Sequence, residues 1–432
     1  MEWSLLAIIL LIVFVMMLVS GFPVAIAMIA SSVLFIICFL PDSAIAQVPT
    51  IILRTGTNFS LLTIPLFILM AGIMKNTGLT NDLFIMMKKW FGHLPGGLGI
   101  ASVAACAAFG AITGSSIATT VTIGSIAIPE MRKAGYDGIF ATAIIASAGP
   151  LGTLIPPSNT GILYGVITET SIGKIFVANI FPGLLLSFMF MVYIAISVWF
   201  KPSLAPSFSK SSWAEKLKSS KKVLLILILV FVVMGSIYCG ICTPSEAAAL
   251  GCSGALVIAI LLKKLSLTVM KEIFYDVIKS TSTIMLLLIG TYLLGYVLIY
   301  SDIATHLTEF ALGFSDNKWI IISGVYALFI FLGMLMDPMA IVCLVIPLLF
   351  PVLVKVGFDT IWIGVMAVVT SMIGFVSPPV GLCTYIAHSF SKDLPLAKLM
   401  VAVIPFLLVM IVFLYIITIF PSIALWLPSH ML

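Results

Sequence analysis

The sequence predicts an all-α polytopic membrane protein made of two inverted repeats. Three observations carry this: 62% of the 432 residues are apolar and 9% charged, a Pro-Pro pair interrupts an apolar segment twice, and both interruptions share one ungapped register. Apolar runs along the whole chain leave no room for a soluble domain. The net charge of +5 is no nucleic-acid signal, because in such a chain the placement of Lys and Arg is what matters.

The two interruptions are Gly152-Thr153-Leu154-Ile155-Pro156-Pro157-Ser158 and Gly374-Phe375-Val376-Ser377-Pro378-Pro379-Val380. Each proline lacks an N–H and clashes with the carbonyl one turn back, so neither segment continues as an unbroken helix. In hydrocarbon the freed carbonyls must be buried in protein or line a polar cavity, which predicts a site near mid-membrane. The offset that carries Pro156 onto Pro378 also carries Pro129, Lys133, Gly135 and Asp137 onto Pro351, Lys355, Gly357 and Asp359. One register kept over Gly, Pro and charged positions marks a duplication of about half the chain.

In chain order, the first repeat is expected over 1–199. Spans near 4–20, 22–40 and 60–75 fill residues 1–76, and an amphipathic arm follows over 77–95. The N-terminus lacks the basic region and small-residue cleavage site of a signal peptide, so the first span is expected to be retained. Residues 97–131 read as two apolar helices joined at Thr113-Gly114-Ser115-Ser116, short for two crossings, hence a re-entrant hairpin. A broken helix over 137–168 and a continuous span over 175–199 complete the repeat. A Lys-rich linker, 200–222, leads into the second repeat, 223–432. Its spans fall within 223–300, with an amphipathic surface arm expected near 265–280 between them. A second arm spans 301–317, a hairpin 319–354 turning at Met336-Asp337-Pro338, a broken helix 360–390, and a last span 395–420.

Each repeat thus has five crossings and one hairpin, and the odd number inverts the second repeat. With both termini outside, 17 of the 21 Lys and Arg fall on the cytoplasmic side, six of them in the linker, and only Arg54, Lys174, Lys318 and Lys355 lie outside. This is the bias of the positive-inside rule. The linker is expected to lie against anionic lipid headgroups.

Two hairpin tips facing two broken helices offer what a dehydrated alkali cation needs, several neutral oxygens with few fixed charges. The candidate sodium ligands are Thr113, Ser115, Gly152, Ile155 and Pro157 in the first repeat. In the second they are Gly333, Asp337, Gly374, Ser377 and Pro379. Asp337 stands out because a carboxylate deep in a membrane requires a partner or a wet cavity, and no Lys or Arg is near it in sequence. Capping of the following helix is the competing role for it. Helix N-termini past the breaks suit a carboxylate, which makes Ser116, Ser158, Asn159, Thr160 and Thr384 candidate substrate contacts. The four histidines are isolated, with no paired ligand spacing, and of the seven scattered cysteines only Cys239-Gly-Ile-Cys242 has redox-motif spacing, without the βαβ context such a motif needs. Without a paired nucleophile and base in the spans, or a Walker A sequence, the chain is expected not to be an enzyme and to run without ATP.

Several stretches together resemble a known family: Ile64-Pro65-Leu66-Phe67 with Gly72, Gly114-Ser115-Ser116, Pro129 with Gly135-Tyr136, and Gly152 through Ser158 with Tyr164-Gly165. Thr243-Pro244-Ser245-Glu246-Ala247-Ala248 and Pro378-Pro379-Val380-Gly381 extend the match over nearly the full length. The chain resembles the large membrane (permease) subunit of tripartite ATP-independent periplasmic (TRAP) transporters. The resemblance implies sodium-coupled import of an organic acid, such as a C4-dicarboxylate, another carboxylate or a sialic acid, across the bacterial inner membrane. It further implies two partners, a small four-span membrane subunit and a periplasmic substrate-binding protein, and an elevator motion of a transport domain against a scaffold. Na+ is then the coupling ion, with no organic cofactor. The alternative expectation is a stand-alone ion-coupled carboxylate transporter of the inverted-hairpin elevator type that needs no binding protein.

Overall fold

The computed structural model of the chain describes residues 3–206, 211–314 and 317–431, and all regular secondary structure among them is helical. The first half begins with α1 (Trp3–Val19) and α2 (Val24–Phe39). Two short helices that the hydropathy pattern does not signal, α3 (Asp42–Ile45) and α4 (Gln47–Gly56), precede α5 (Thr63–Asn76). The arm is α6 (Leu79–Phe91), and the first hairpin pairs α7 (Gly97–Thr113) with α8 (Ser116–Lys133). The interrupted helix has three pieces, α9 (Gly138–Ala148), α10 (Leu151–Leu154) and α11 (Asn159–Ile167), and α12 (Ile172–Phe200) ends the half.

The second half comprises α13 (Trp213–Tyr238), α14 (Pro244–Leu261), α15 (Leu267–Tyr300), α16 (Ile303–Phe314), the hairpin α17 (Lys318–Gly333) and α18 (Pro338–Lys355), the interrupted pair α19 (Thr360–Val376) and α20 (Leu382–His388), α21 (Leu396–Ile419) and α22 (Ser422–Ser429). By length and composition seven helices can cross a bilayer, eight when the pieces on either side of the first break, bent by 43°, are taken as one span. α1, α2 and α19 are apolar but only 17, 16 and 17 residues long, at the short end for a crossing.

Two expected boundaries are wrong. Residues 265–280 are not a surface arm separate from the following span: α15 runs unbroken for 34 residues, about 50 Å at 1.5 Å per residue. Nothing in Lys271 to Ser280 breaks a helix, so amphipathic and apolar stretches continue one into the other. Likewise the linker 200–222 ends early, because Ser212 caps α13 by accepting the N–H of Glu215 and the helix begins at Trp213. Its first turns lie along α6, held by Lys89–Glu215 at 3.2 Å, Lys222–Asp82 at 3.6 Å and Trp90 Nε1 on Ser220 Oγ at 3.0 Å.

The same local chemistry starts corresponding helices. Ser115 caps α8 by accepting the N–H of Ala118, and Asp337, its counterpart in the shared register, caps α18 by accepting that of Met339. Asp137 and Asp359, a second corresponding pair, cap α9 and α19. Gly135 and Gly357, in the turns before them, have φ of +88° and +95°, a backbone shape that glycine adopts without penalty. α14 opens with a capping box in which Thr243 and Glu246 satisfy each other's N–H groups.

Packing between the halves repeats with the halves exchanged. α2 lies on α15 and α14 on α5; α6 lies on α13 and α16 on α1. α11 packs against α18 and α20 against α8, while α9 meets α21 and α12 meets α19. Corresponding partners trade places in each pair of contacts, the pattern of a pseudo-two-fold axis. It brings both hairpin tips and both interrupted helices together.

Candidate functional site at the hairpin tips

At the first tip the chain turns within two residues, and only glycine fits the turn. Gly114 has φ +60°, and a Cβ there would lie 2.3 Å from the carbonyl oxygen of Pro157. Tip and break are therefore in backbone contact. One turn back, a Cβ on Gly110 would meet Gly152 Cα at 2.6 Å, and one on Gly152 would meet Thr119 Oγ1 at 2.3 Å and the Ser115 carbonyl at 2.7 Å. Small residues at helix contacts in membranes permit this approach.

Hydroxyls fill the remaining space. Thr113 donates to the Phe109 carbonyl at 3.2 Å and lies 3.2 Å from Thr119 Oγ1. Ser116 N–H donates to Thr153 Oγ1 at 3.0 Å, and the two side-chain hydroxyls are bonded to each other. Ser158 caps α11 by accepting the N–H of Gly161 at 3.1 Å. Asn159 N–H points to the Gly114 carbonyl at 3.5 Å. Pro156 and Pro157 cannot donate to Gly152 and Thr153, so those carbonyls lose their helical partners; Ile155, Pro157 and Gly152 are all buried.

The second tip uses different chemistry on the same plan. Gly333 and Gly374 are in backbone contact, a Cβ on Gly374 falling 2.5 Å from Gly333 Cα. Asp337 replaces the serine as helix cap, its Oδ2 accepting the Met339 N–H at 3.2 Å. Ser377 donates to the Ile373 carbonyl at 2.7 Å, and its N–H meets the Gly374 carbonyl at 3.0 Å, so that carbonyl is not left free. Thr384 is fully buried and donates to the Val376 carbonyl at 3.2 Å. Pro379 is exposed, whereas Pro157 is buried.

The tips line a half-open cavity of about 30 Å³. The first half contributes Gly114, Ser115, Ser116, Ile117, Thr153, Asn159 and Thr160 to it, and the second half Asp337, Pro338, Met339 and Phe375. Of the residues singled out in sequence, Ser115, Ser116, Asn159, Thr160 and Asp337 thus share one chamber. Thr113, Gly152, Ile155 and Pro157 stand behind its first wall; Gly333, Gly374, Ser377, Pro379 and Thr384 do not line it. Thr153 and Phe375 escaped sequence reasoning although each belongs to a Pro-Pro motif, and the shared register that pairs them is the signal that could have found them.

The chamber has room for an ion or a water, which needs about 10–15 Å³, and is far below the roughly 300–1,000 Å³ of small-molecule pockets. A larger cavity of about 390 Å³, lined by Lys318, Trp319, Asp359 and Trp362 among others, sits at the base of the second hairpin, and none of the freed backbone reaches it.

A multi-span helical protein with a chamber walled by hairpin tips and interrupted helices belongs, as a class, with membrane transport proteins. Residues 10–423 match the family model described as "Tripartite ATP-independent periplasmic transporter, DctM component", and the chain belongs to that family. It is 34% identical over 400 residues to the C4-dicarboxylate TRAP transporter large permease protein DctM of Pseudomonas aeruginosa, covering 92% of this chain and 93% of that one. It is 31% identical to the sialic acid TRAP transporter large permease protein SiaM of Vibrio cholerae, covering 96% of each. Among solved structures it is similar in fold to the YdaH transporter of Alcanivorax borkumensis, described as having an unusual topology, with a TM-score of 0.62, 15% identity and coverage of 90% and 89%.

Proposed function

We propose that this chain is the large permease subunit of a sodium-coupled importer of an organic acid, working with a small four-span membrane subunit and a periplasmic substrate-binding protein. The observation that carries the reading is the shared chamber. It sets the hydroxyls of Ser115 and Ser116 and the capped start of α11, at Asn159 and Thr160, beside the single carboxylate of Asp337. Neutral oxygens with one carboxylate suit a sodium ion, and the positive end of α11 suits the carboxylate of a substrate. Relatives named for C4-dicarboxylates and sialic acid support an organic acid as cargo.

In this reading Thr113, Ser115, Gly152, Ile155 and Pro157 serve one sodium ion, and Gly333, Asp337, Gly374, Ser377 and Pro379 a second. Sodium entry supplies about 2.3 kcal/mol per positive charge and 100 mV. The repeats are inverted in the inner membrane with both termini periplasmic. Four ion pairs that cross between segments, Lys88–Glu130, Lys89–Glu215, Lys222–Asp82 and Arg132–Asp393, join groups that this orientation places together in the cytoplasm. The hairpins and interrupted helices move as one transport domain against the scaffold formed by α1, α2, α5, α13, α14 and α15.

Uptake by proteoliposomes tests this. Chain, small subunit and binding protein together are expected to accumulate the acid only under an inward sodium gradient. Accumulation by this chain alone would point instead to the stand-alone transporter, and uptake indifferent to sodium would end the coupling claim.

A further inference from the structure

Asn179 lies within α12, fully buried. Its Nδ2 donates to the Ile175 carbonyl one turn back at 2.9 Å, while its Oδ1 is buried with no hydrogen-bond partner. That assignment is chemically forced, because a carbonyl oxygen requires the NH₂ end of the amide. Asn side chains in membrane helices commonly bond across to a neighbour; this one keeps its acceptor unused.

Its position is fixed by its neighbours. Ile175, Asn179 and Gly183 recur every four residues and share one face of α12. At one end of that stripe Ile175 Cγ2 is 3.3 Å from where a Gly161 Cβ would be; at the other, a Cβ on Gly183 would lie 2.6 Å from Ile155 Cγ1. Asn179 therefore faces the stretch between Ile155 and Gly161, the unwound residues Pro156, Pro157 and Ser158. Both prolines lack an N–H, so this stretch presents chiefly carbonyl oxygens. A buried acceptor without a partner, beside an unwound stretch poor in N–H donors, suits a cation as its partner; the Pro157 carbonyl itself turns to the tip at Gly114. The second half has no such group: α21, the helix that corresponds to α12, carries no Asn, Gln, Asp or Glu.

We propose that Asn179 Oδ1 is a ligand of the monovalent cation at the first break, approaching from the side of α12 opposite the hairpin tip. The inference rests on the sodium-coupled reading above and extends its ligand set to a residue outside the repeated motif. The test uses the full chain in nanodiscs, wild type and Asn179→Leu, which keeps the side-chain size and removes the oxygen. NaCl is exchanged for choline chloride at constant ionic strength, and sodium-dependent thermal unfolding gives the half-saturating sodium concentration. The leucine variant is expected to need about tenfold more sodium. A wild-type sodium response with an unchanged midpoint in the variant would overturn the proposal and leave sodium coupling standing, with Asn179 bonded to an ordered water. No sodium-specific response in the wild type would instead sink the coupling reading itself and this inference with it. Should the leucine variant not accumulate, Asn179→Asp carries the test. It retains an oxygen at the same place and is expected to bind sodium at least as tightly as wild type, and a tenfold weaker midpoint would refute the assignment.

Discussion

The two hairpins share one plan and differ in how they are held. In α7, 14 of 17 residues are buried, most of them Gly, Ala, Ser or Cys; in α17, 5 of 16 are buried, and Trp319, Ile320, Leu328 and Phe331 are exposed. The base of the first hairpin is tied down by Lys88–Glu130 at 2.9 Å and by Arg132 forked onto Asp393 at 2.9 and 2.6 Å. In the second half the positions corresponding to Glu130 and Arg132 are Val352 and Val354, which can form no such tie. At the tips, a serine in one half answers an aspartate in the other. Duplication thus preserved the backbone contacts that shape the chamber and released the surroundings to diverge. The first hairpin is packed along most of its length and tied at its base, and the second leaves an outer face uncovered.

The largest effects are expected where the halves agree. Gly152→Ala puts a Cβ 2.3 Å from Thr119 Oγ1, and Gly374→Ala puts one 2.5 Å from Gly333 Cα and 2.8 Å from the Ile330 carbonyl. Overpacking of this kind costs roughly 1–3 kcal/mol, and here it also pushes tip from break. Sodium-driven uptake in proteoliposomes should be lost in both variants while the protein still inserts. Loss in only one of them would show that the two breaks are not equivalent parts of the transport cycle.

Next come the tips, where the halves differ. Removing the charge with Asp337→Asn is expected to raise the half-saturating sodium concentration about tenfold, and Ser115→Ala, which removes one neutral oxygen, about threefold. Titration of uptake against sodium reads both. No shift in Asp337→Asn would mean that the carboxylate acts only as a helix cap, since an Asn side chain caps as well as Asp.

Much of this was legible in the sequence, and for a definite reason. A Pro-Pro pair, a left-handed Gly135 or Gly357, and an Asp137 or Asp359 cap are local devices, each dictating backbone shape from one or two residues, so an offset between them survives as an offset between structures. The failures were of another kind. The unbroken α15 and the early start of α13 were missed because an amphipathic stretch reads alike whether it lies on a surface or extends a span. Thr384 looked like a site residue because it follows a break; its hydroxyl is spent on the Val376 carbonyl, and such a bond across eight residues has no sequence signature. Thr153 and Phe375 impose no backbone shape of their own, so only the shared register marks them.

A smaller effect separates the two outer arms. A Cβ on Gly99 of α7 would meet Ile144 Cδ1 at 2.8 Å, whereas nothing lies within 4 Å of one on Gly324 of α17. Gly324→Ala should stabilise the protein by up to about 1 kcal/mol through helix propensity, and Gly99→Ala should not. Hydrogen exchange is expected to be faster in α17 than in α7. Equal protection of the two helices would remove the basis for calling the second hairpin the more loosely packed.

The smallest effect concerns the tie that, among the described residues, only the first hairpin has. Asp393 and Arg132 are largely exposed, so their pair adds little to stability in salt. The guanidinium beside Asp393 holds its carboxyl below the usual carboxylate range. A depressed native pKa means that the contribution is complete above the unfolded value, near 3.9, and fades as pH falls through the lower native one. Between pH 5 and 8 the tie is therefore constant, and Asp393→Asn should shift the unfolding temperature by a small amount that is the same throughout that range and shrinks with added salt. Below about pH 4 wild type and variant should converge, because protonation removes in one what substitution removed in the other. A variant whose unfolding temperature diverges from wild type on acidification would mean that another group, not this carboxylate, holds the base of the hairpin.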